Sequence, residues 1–191
     1  MARFSSFARA VRVIAYVYRF YNRTIRKLTY ESLQISPSEA SFVKSRLILM
    51  SQRIHFGEEM AALADKKPIS GQSRLATLNP FIDDKGILRV GGRLSLADNL
   101  THNEKHPIII PYHCAFSKLI VQFIHDISLH GGNQLMLRLL RTQYWLIKAK
   151  VLIKKLSIGA SHVNLTREVY KCTSVISSDR RQTFFQDNDR L

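Results

Sequence analysis

Two histidines, His125 and His130, lie five positions apart near the end of an apolar helical segment, just before Gly131-Gly132. Imidazole is a common ligand of structural zinc, which takes four tetrahedral ligands, usually imidazoles and thiolates. At about 100° per residue, this spacing puts the two side chains on different faces of one helix. Both can reach one ion only if the helix ends between them, and the two glycines are expected to end it. An ordinary helix-end histidine pair is the alternative.

The two cysteines of the chain do not complete such a site. Cys114 precedes both histidines, and Cys172 lies far beyond them without a second cysteine at Cys-x-x-Cys spacing. Two histidines alone leave two coordination positions to water or to a chance ligand, so zinc is expected to bind weakly or not at all. Because the pattern is not that of a disulfide framework, a reducing compartment is expected, and the sequence does not distinguish the cytoplasm from the nucleus.

Basic residues are concentrated in the segment that follows the histidines. The whole chain has 29 Lys and Arg against 14 Asp and Glu, a formal net charge of +15. Such an excess indicates polyanionic partners, with nucleic acid ahead of anionic membrane. The densest cluster comprises Arg138, Arg141, Lys148, Lys150, Lys154 and Lys155. These side chains can neutralise phosphates without reading base sequence. A solvated face around a small core is the alternative.

Two further features bear on partners. The aromatic pair Tyr144-Trp145 is expected to anchor the last helix in the core rather than to stack on bases. No run of about 18 or more uncharged apolar residues is present, so the sequence predicts neither a transmembrane helix nor a membrane partner. Residues 1–21 are partly apolar, but arginines interrupt them throughout. An amphipathic helix is therefore favoured there over a mitochondrial presequence.

The N-terminal part is predicted to be helical. Residues 4–28 carry apolar side chains at helical spacing, with arginines between them. The SPSE motif at 36–39 is typical of a helix start, with Ser36 as N-cap and Glu39 completing a capping box. This second helix is expected to reach about Ala64.

The pattern then changes from helical to extended. Residues 81–90 predict a β-hairpin with the turn Asp-Asp-Lys-Gly, and residues 107–111 predict a short strand bounded by prolines. Three helical segments are expected afterwards, at 116–129, 134–141 and 148–156. Residues 157–191 are polar and lack sustained periodicity, so they are expected to be unstructured.

Three blocks of this sequence stand together: LNPFIDDKGILRVGGRLSLADNL at 78–100, HPIIIP at 106–111 and HDISLHGGNQLMLRLLRTQYWLI at 125–147. Together they resemble the integrase zinc-binding region of polyproteins from Pao/BEL-type LTR retrotransposons. That region has a hairpin, a short strand, a helix ending in His-x4-His, an arginine-bearing helix, an aromatic-Trp pair and finally Cys-x-x-Cys. Residues 4–20 also resemble the connector that precedes this region in such polyproteins.

The resemblance implies a function and a domain arrangement. It implies that His125 and His130 are zinc ligands, and that the module supports DNA integration by binding DNA and by self-association. The expected fold is α+β and mostly helical: a helical connector at 1–75, a zinc-binding-like domain at 76–156 with a hairpin, a strand and a three-helix zinc-finger-like bundle, and a disordered tail at 157–191. The catalytic integrase core, polymerase and RNase H regions are absent from this sequence, so no enzyme activity is expected.

The family's cysteine pair should follow Leu156, where the sequence reads Ser-Ile-Gly-Ala-Ser-His-Val. With suitable codons, a shifted reading frame across residues 159–163 can spell Cys-Val-Thr-Cys. One hypothesis is therefore a single-base frameshift near Lys155 or Leu156, which would make the tail out-of-frame translation. The nucleotide sequence of codons 150–165 decides whether this hypothesis holds.

Three interpretations of the function stay open. The first is a non-catalytic integrase fragment that contributes to nucleic-acid binding. The second is an inert remnant of a decayed element, which predicts a broad, non-cooperative melt and no retained zinc. The third is a basic DNA-binding protein that does not need metal, which predicts a cooperative melt unaffected by chelator and salt-sensitive DNA binding.

Overall fold

The computed structural model of the chain describes residues 7–25, 27, 32–92, 100–129 and 131–158. Within them it confirms the predicted fold class, a mixed α+β fold that is mostly helical and has one small sheet. The predicted tail lies outside these residues except for 157–158, which continue the last helix. The helices are α1 (Phe7–Ile25), α2 (Pro37–Ala64), α3 (His102–Lys105), α4 (Ala115–Ile127), α5 (Asn133–Arg141) and α6 (Ala149–Ile158). The strands are β1 (Phe81–Ile82), β2 (Leu88–Arg89), β3 (Ile108–Ile110) and β4 (Tyr144–Leu146).

The start of α2 confirms the predicted capping box. The Ser36 hydroxyl accepts a hydrogen bond from the Glu39 backbone N–H at 3.2 Å, and the Glu39 carboxylate accepts one from the Ser36 backbone N–H at 2.7 Å. The two bonds satisfy donors that a helix start otherwise leaves unpaired. The helix reaches Ala64 as predicted, with a kink at Phe56.

The predicted hairpin is formed by β1 and β2, which pair antiparallel. In its turn, the Asp83 carboxylate accepts hydrogen bonds from the backbone N–H groups of Lys85 at 3.0 Å and Ile87 at 2.8 Å. Gly86 has a φ of +74°, a left-handed conformation that glycine adopts without a steric cost. Turn chemistry therefore accounts for the aspartate at this position.

The sheet has the order β1-β2-β3-β4. The predicted strand at 107–111 is β3, which pairs antiparallel with β2. The last strand, β4, was not predicted; it pairs parallel with β3 through the register Ile108–Tyr144, Ile109–Trp145 and Ile110–Leu146. Since a parallel pair needs a long crossover, α4 and α5 lie between these two strands in the chain.

Alternation along β3 and β4 separates two apolar clusters. The first cluster contains Ile110, Tyr144 and Leu146, together with apolar side chains of α1, α2, α4, α5 and α6. The second contains Ile109 and, from α2, Leu49, Phe56 and Met60, with Trp145 packed against it. Helices α1 and α2, which precede residue 75, thus share their core with helices and strands that follow it. The division into domains at that residue stays a prediction.

The side chain of Gln52 ties α2 to the middle of the sheet. It is fully buried. Its amide N–H group donates to the carbonyls of Leu88 at 2.9 Å and Ile109 at 2.7 Å, and its oxygen accepts from the Leu88 N–H at 2.9 Å. One side chain therefore holds β2 and β3 at a fixed position relative to α2.

A salt bridge ties α1 to the start of α2. The Arg19 guanidinium contacts both carboxylate oxygens of Glu39 at 2.7 Å and also donates to the carbonyls of Ser32, Leu33 and Gln34. The hydrogen bonds from Arg19, together with those from Ser36, lower the pKa of Glu39 from 4.5 to about 2. No helix among the described residues is both long and apolar enough to cross a membrane.

Replacing Gln52 with Met keeps the side-chain volume but removes three buried hydrogen bonds. Since a buried polar group left without a partner costs about 1–3 kcal/mol, the free energy of unfolding in urea should fall by about 3 kcal/mol. Gln122→Met in α4 is the control, because Gln122 bonds only to Asp126 in an exposed pair. Equal losses in the two variants would contradict the role of Gln52.

Replacing Glu39 with Gln should destabilise the protein by about 2 kcal/mol at neutral pH. Because the folded-state pKa of about 2 lies below the ordinary 4.5, the stabilisation is present above pH 4.5 and is lost as the pH falls toward 2. The stability difference between wild type and variant, measured by urea unfolding across this range, should therefore shrink on acidification. Glu58→Gln, an exposed substitution in the same helix, is the control; a difference independent of pH would refute this assignment.

Candidate nucleic-acid interface

His125, the first predicted zinc ligand, lies in the last turn of α4. Its side chain is partly buried, and its Nδ1 is 3.9 Å from the Asp126 carboxylate. Cys114 lies at the opposite end of the same helix, where its sulfur caps the helix by accepting from the Ser117 N–H at 3.3 Å. The helix length therefore separates this thiol from the predicted histidine site.

The helix ends between the two histidine positions, as predicted, but a different residue makes the break. Helix α4 ends at Ile127, and Leu129 takes the left-handed conformation with a φ of +51°. At Gly131, a Cβ would lie 2.7 Å from the tip of the flexible Leu135 side chain and 3.0 Å from the Ser128 carbonyl oxygen, so glycine relieves crowding there. The expectation that Gly131-Gly132 end the helix is therefore wrong: the helix ends at Ile127, before either glycine, and the left-handed residue after it is Leu129.

The described donors around His125 do not make a zinc site. The structure describes no group of three or more His, Cys, Asp or Glu side chains that could hold a metal within 7–25, 27, 32–92, 100–129 and 131–158. The second predicted ligand, His130, lies outside these residues, as does Cys172. One imidazole beside one carboxylate falls short of the four ligands of structural zinc. The zinc-finger-like detail of the fold and the ligand roles of the two histidines stay predictions.

The predicted basic residues all lie exposed on α5, on α6 and at the turn before α6. Both helices are amphipathic: α5 buries Met136, Leu137 and Leu140, and α6 buries Leu152 and Ile153. The remaining faces carry Arg138, Arg141, Lys148, Lys150, Lys154 and Lys155. These six residues are called the basic face below.

The sequence around the basic face lacks acidic residues. Residues 127–158 contain no Asp or Glu. None of the basic-face residues forms a salt bridge with a described residue. The six cationic side chains therefore present their charge to solvent, which is the arrangement that phosphate contacts require.

A groove of about 310 Å³ adjoins the basic face and shares Arg141, Lys148 and Lys150 with it. Leu137, Leu140 and Ile147 contribute to its apolar lining. Its cationic lining comes from Arg74, Arg141, Lys148 and Lys150, and none of the described acidic side chains lines it. All three residues of β4 line the groove; Tyr144 is buried as predicted, whereas Trp145 is only partly buried.

Sequence reasoning missed two of the groove residues. Arg74 precedes Leu75, which is buried in the second cluster, so its exposed side chain is carried to the groove from a distant part of the chain. Trp145 was expected in the core; it does pack against the second cluster, on the face of β4 opposite to Tyr144, but it is only partly buried and also lines the groove. Neither position is marked in the local sequence, because the groove joins residue 74 to residues 137–150, which are distant in the chain.

Comparisons of this chain with known protein families, with curated proteins and with solved structures find no match. The assignment of a site here therefore rests on the described geometry, and the integrase resemblance stays a prediction.

Replacing Leu129 with Gly should raise the free energy of unfolding by about 1 kcal/mol, because a left-handed conformation costs an L-residue about this much. The Leu129 side chain is 86% exposed, so little packing is lost. Thermal and urea unfolding measure the change. Leu33→Gly is the matched control, because Leu33 is 92% exposed and does not have a positive φ. A loss of stability in Leu129→Gly would contradict this account of the helix end.

Proposed function

We propose that this chain is a non-catalytic nucleic-acid-binding module of integrase type, which binds DNA through the basic face without reading its sequence. The observation that carries the proposal is the exposure of six cationic side chains on α5, α6 and the turn between β4 and α6, in a segment without acidic residues. Phosphates attract such a surface through counterion release, which does not depend on base identity.

The packing of the described residues supports a module that folds without metal. Helices α1 and α2 add apolar side chains to the cluster that α4, α5 and α6 share. In small zinc domains the metal supplies most of the folding energy because the core is too small. Here the core extends well beyond the three helices that a zinc site would join, so metal-independent DNA binding is the favoured form of the proposal.

The test is the salt dependence of duplex DNA binding by the full chain. Each phosphate contact lowers log K by about 0.9 per decade of salt. The double variant Lys150→Gln/Lys154→Gln should therefore bind more weakly, with a slope shallower by about 2. Fluorescence anisotropy with a labelled duplex at several salt concentrations measures both quantities.

The matched control is Arg53→Gln/Lys85→Gln, which removes two exposed charges from α2 and the hairpin turn. It should leave the slope nearly unchanged. Equal effects of the two double variants would show that DNA binds through the overall positive charge and not through the basic face. Binding that does not depend on salt, or no binding, would refute the proposal. Cleavage of the DNA by pure protein with a divalent metal would contradict a non-catalytic role.

Melting curves with and without chelator separate the competing interpretations. A cooperative melt that chelator does not change supports metal-independent folding. A cooperative melt that chelator lowers supports a zinc module of the family type. A broad, non-cooperative melt supports an inert remnant.

A further inference from the structure

The groove beside the basic face offers both apolar and cationic side chains, whereas the basic face by itself offers only cationic ones. Its apolar lining comes mainly from α5 and β4, and its four cationic residues come from three separate parts of the chain. Arg74 precedes β1, Arg141 ends α5, and Lys148 and Lys150 begin the α6 region. A pocket near 300 Å³ is at the small end of the range for bound ligands, and its charge is complementary to an anion with an apolar portion.

Trp145 gives this groove an aromatic surface. The indole packs against the second cluster, which contains Leu75, Leu88 and Ile109, and it also lines the groove. The Arg141 guanidinium carbon lies 5.8 Å from the ring centroid, a cation–π distance. An anchored aromatic ring beside several cations is the combination on which unpaired bases stack while their phosphates are neutralised.

We propose that the groove binds one unpaired nucleotide of a single-stranded nucleic acid, with its base against Trp145 and its phosphates near Arg74, Lys148 and Lys150. The inference rests on the proposed function, because it names the form of nucleic acid that the same surface prefers. In a duplex each base is stacked between its neighbours and cannot offer a π-face to a side chain within a groove. The basic face binds both forms, and the groove adds binding to single strands only.

Trp145 is the only tryptophan in the chain, so its fluorescence reports directly on the groove. The full chain is titrated with a short oligothymidine and with a duplex of equal length, at one fixed salt concentration. The single strand should quench the tryptophan emission strongly, whereas the duplex should bind with little quenching. Affinities for both are measured separately by anisotropy with labelled DNA.

Trp145→Leu removes the aromatic face and keeps an apolar side chain against the second cluster. It should lower affinity for the oligothymidine at least about fivefold and change duplex affinity by less than about twofold. Phe20→Leu is the matched control, because Phe20 is 71% exposed on α1 and lies outside the groove lining. It should change neither affinity.

A second variant does not depend on the packing of Trp145. Arg74→Gln changes an exposed side chain and should weaken oligothymidine binding several-fold, with a salt slope shallower by about 0.7 for a single strand. Arg53→Gln on α2 is its control and should leave binding unchanged.

The outcomes distinguish the two proposals. Duplex and single strand bound alike, without tryptophan quenching and without loss in Trp145→Leu or Arg74→Gln, would overturn the groove proposal and leave the basic face intact. Failure of the chain to bind either form would refute the proposed function itself.

Discussion

The buried amide of Gln52 is the interaction on which the arrangement of this chain depends. Strands β1 and β2 have only two residues each, so their ladders supply few hydrogen bonds. A side chain from α2 that bonds to both β2 and β3 fixes the sheet where its own pairing is weakest. Because β4 takes its register from β3, the same amide indirectly sets the position of Trp145 and of the groove. A buried polar network of this kind specifies one arrangement because any other leaves it unsatisfied.

Helix α2 can serve as this reference because its start is held in place. Glu39 satisfies the Ser36 N–H and also receives the Arg19 guanidinium, so one carboxylate caps α2 and attaches α1 to it. The charge-assisted bonds to this carboxylate stabilise it as an anion, which is why its pKa falls. Attaching α1 in turn places Phe7 and Val11 in the cluster with α4. Glu39 thus caps α2 and positions α1 against it, and α1 in turn adds its apolar side chains to the first cluster.

The features that could be predicted from the sequence are those whose interacting residues lie close together in the chain. The capping box at Ser36 and the turn at Asp83 were found because all their partners lie within a few residues. Strand β4, the bonds of Gln52 and the position of Arg74 were missed because their partners are distant in the chain: Gln52 bonds to residues 36 and 57 positions away. The same limit applies to the site. The exposed basic residues of α5 and α6 follow from helical periodicity, whereas the groove beside them arises only when β4 pairs with β3.

The packing also bears on why histidines of this spacing need not imply a metal. A zinc ion is indispensable where a few helices cannot bury enough apolar surface by themselves. In this chain α4, α5 and α6 are held by β3 and β4 on one side and by α1 and α2 on another. The exposed cations of α5 and α6 add no apolar surface to this core, and their mutual repulsion opposes folding unless anions neutralise it; this is the physical ground for the nucleic-acid partner proposed above.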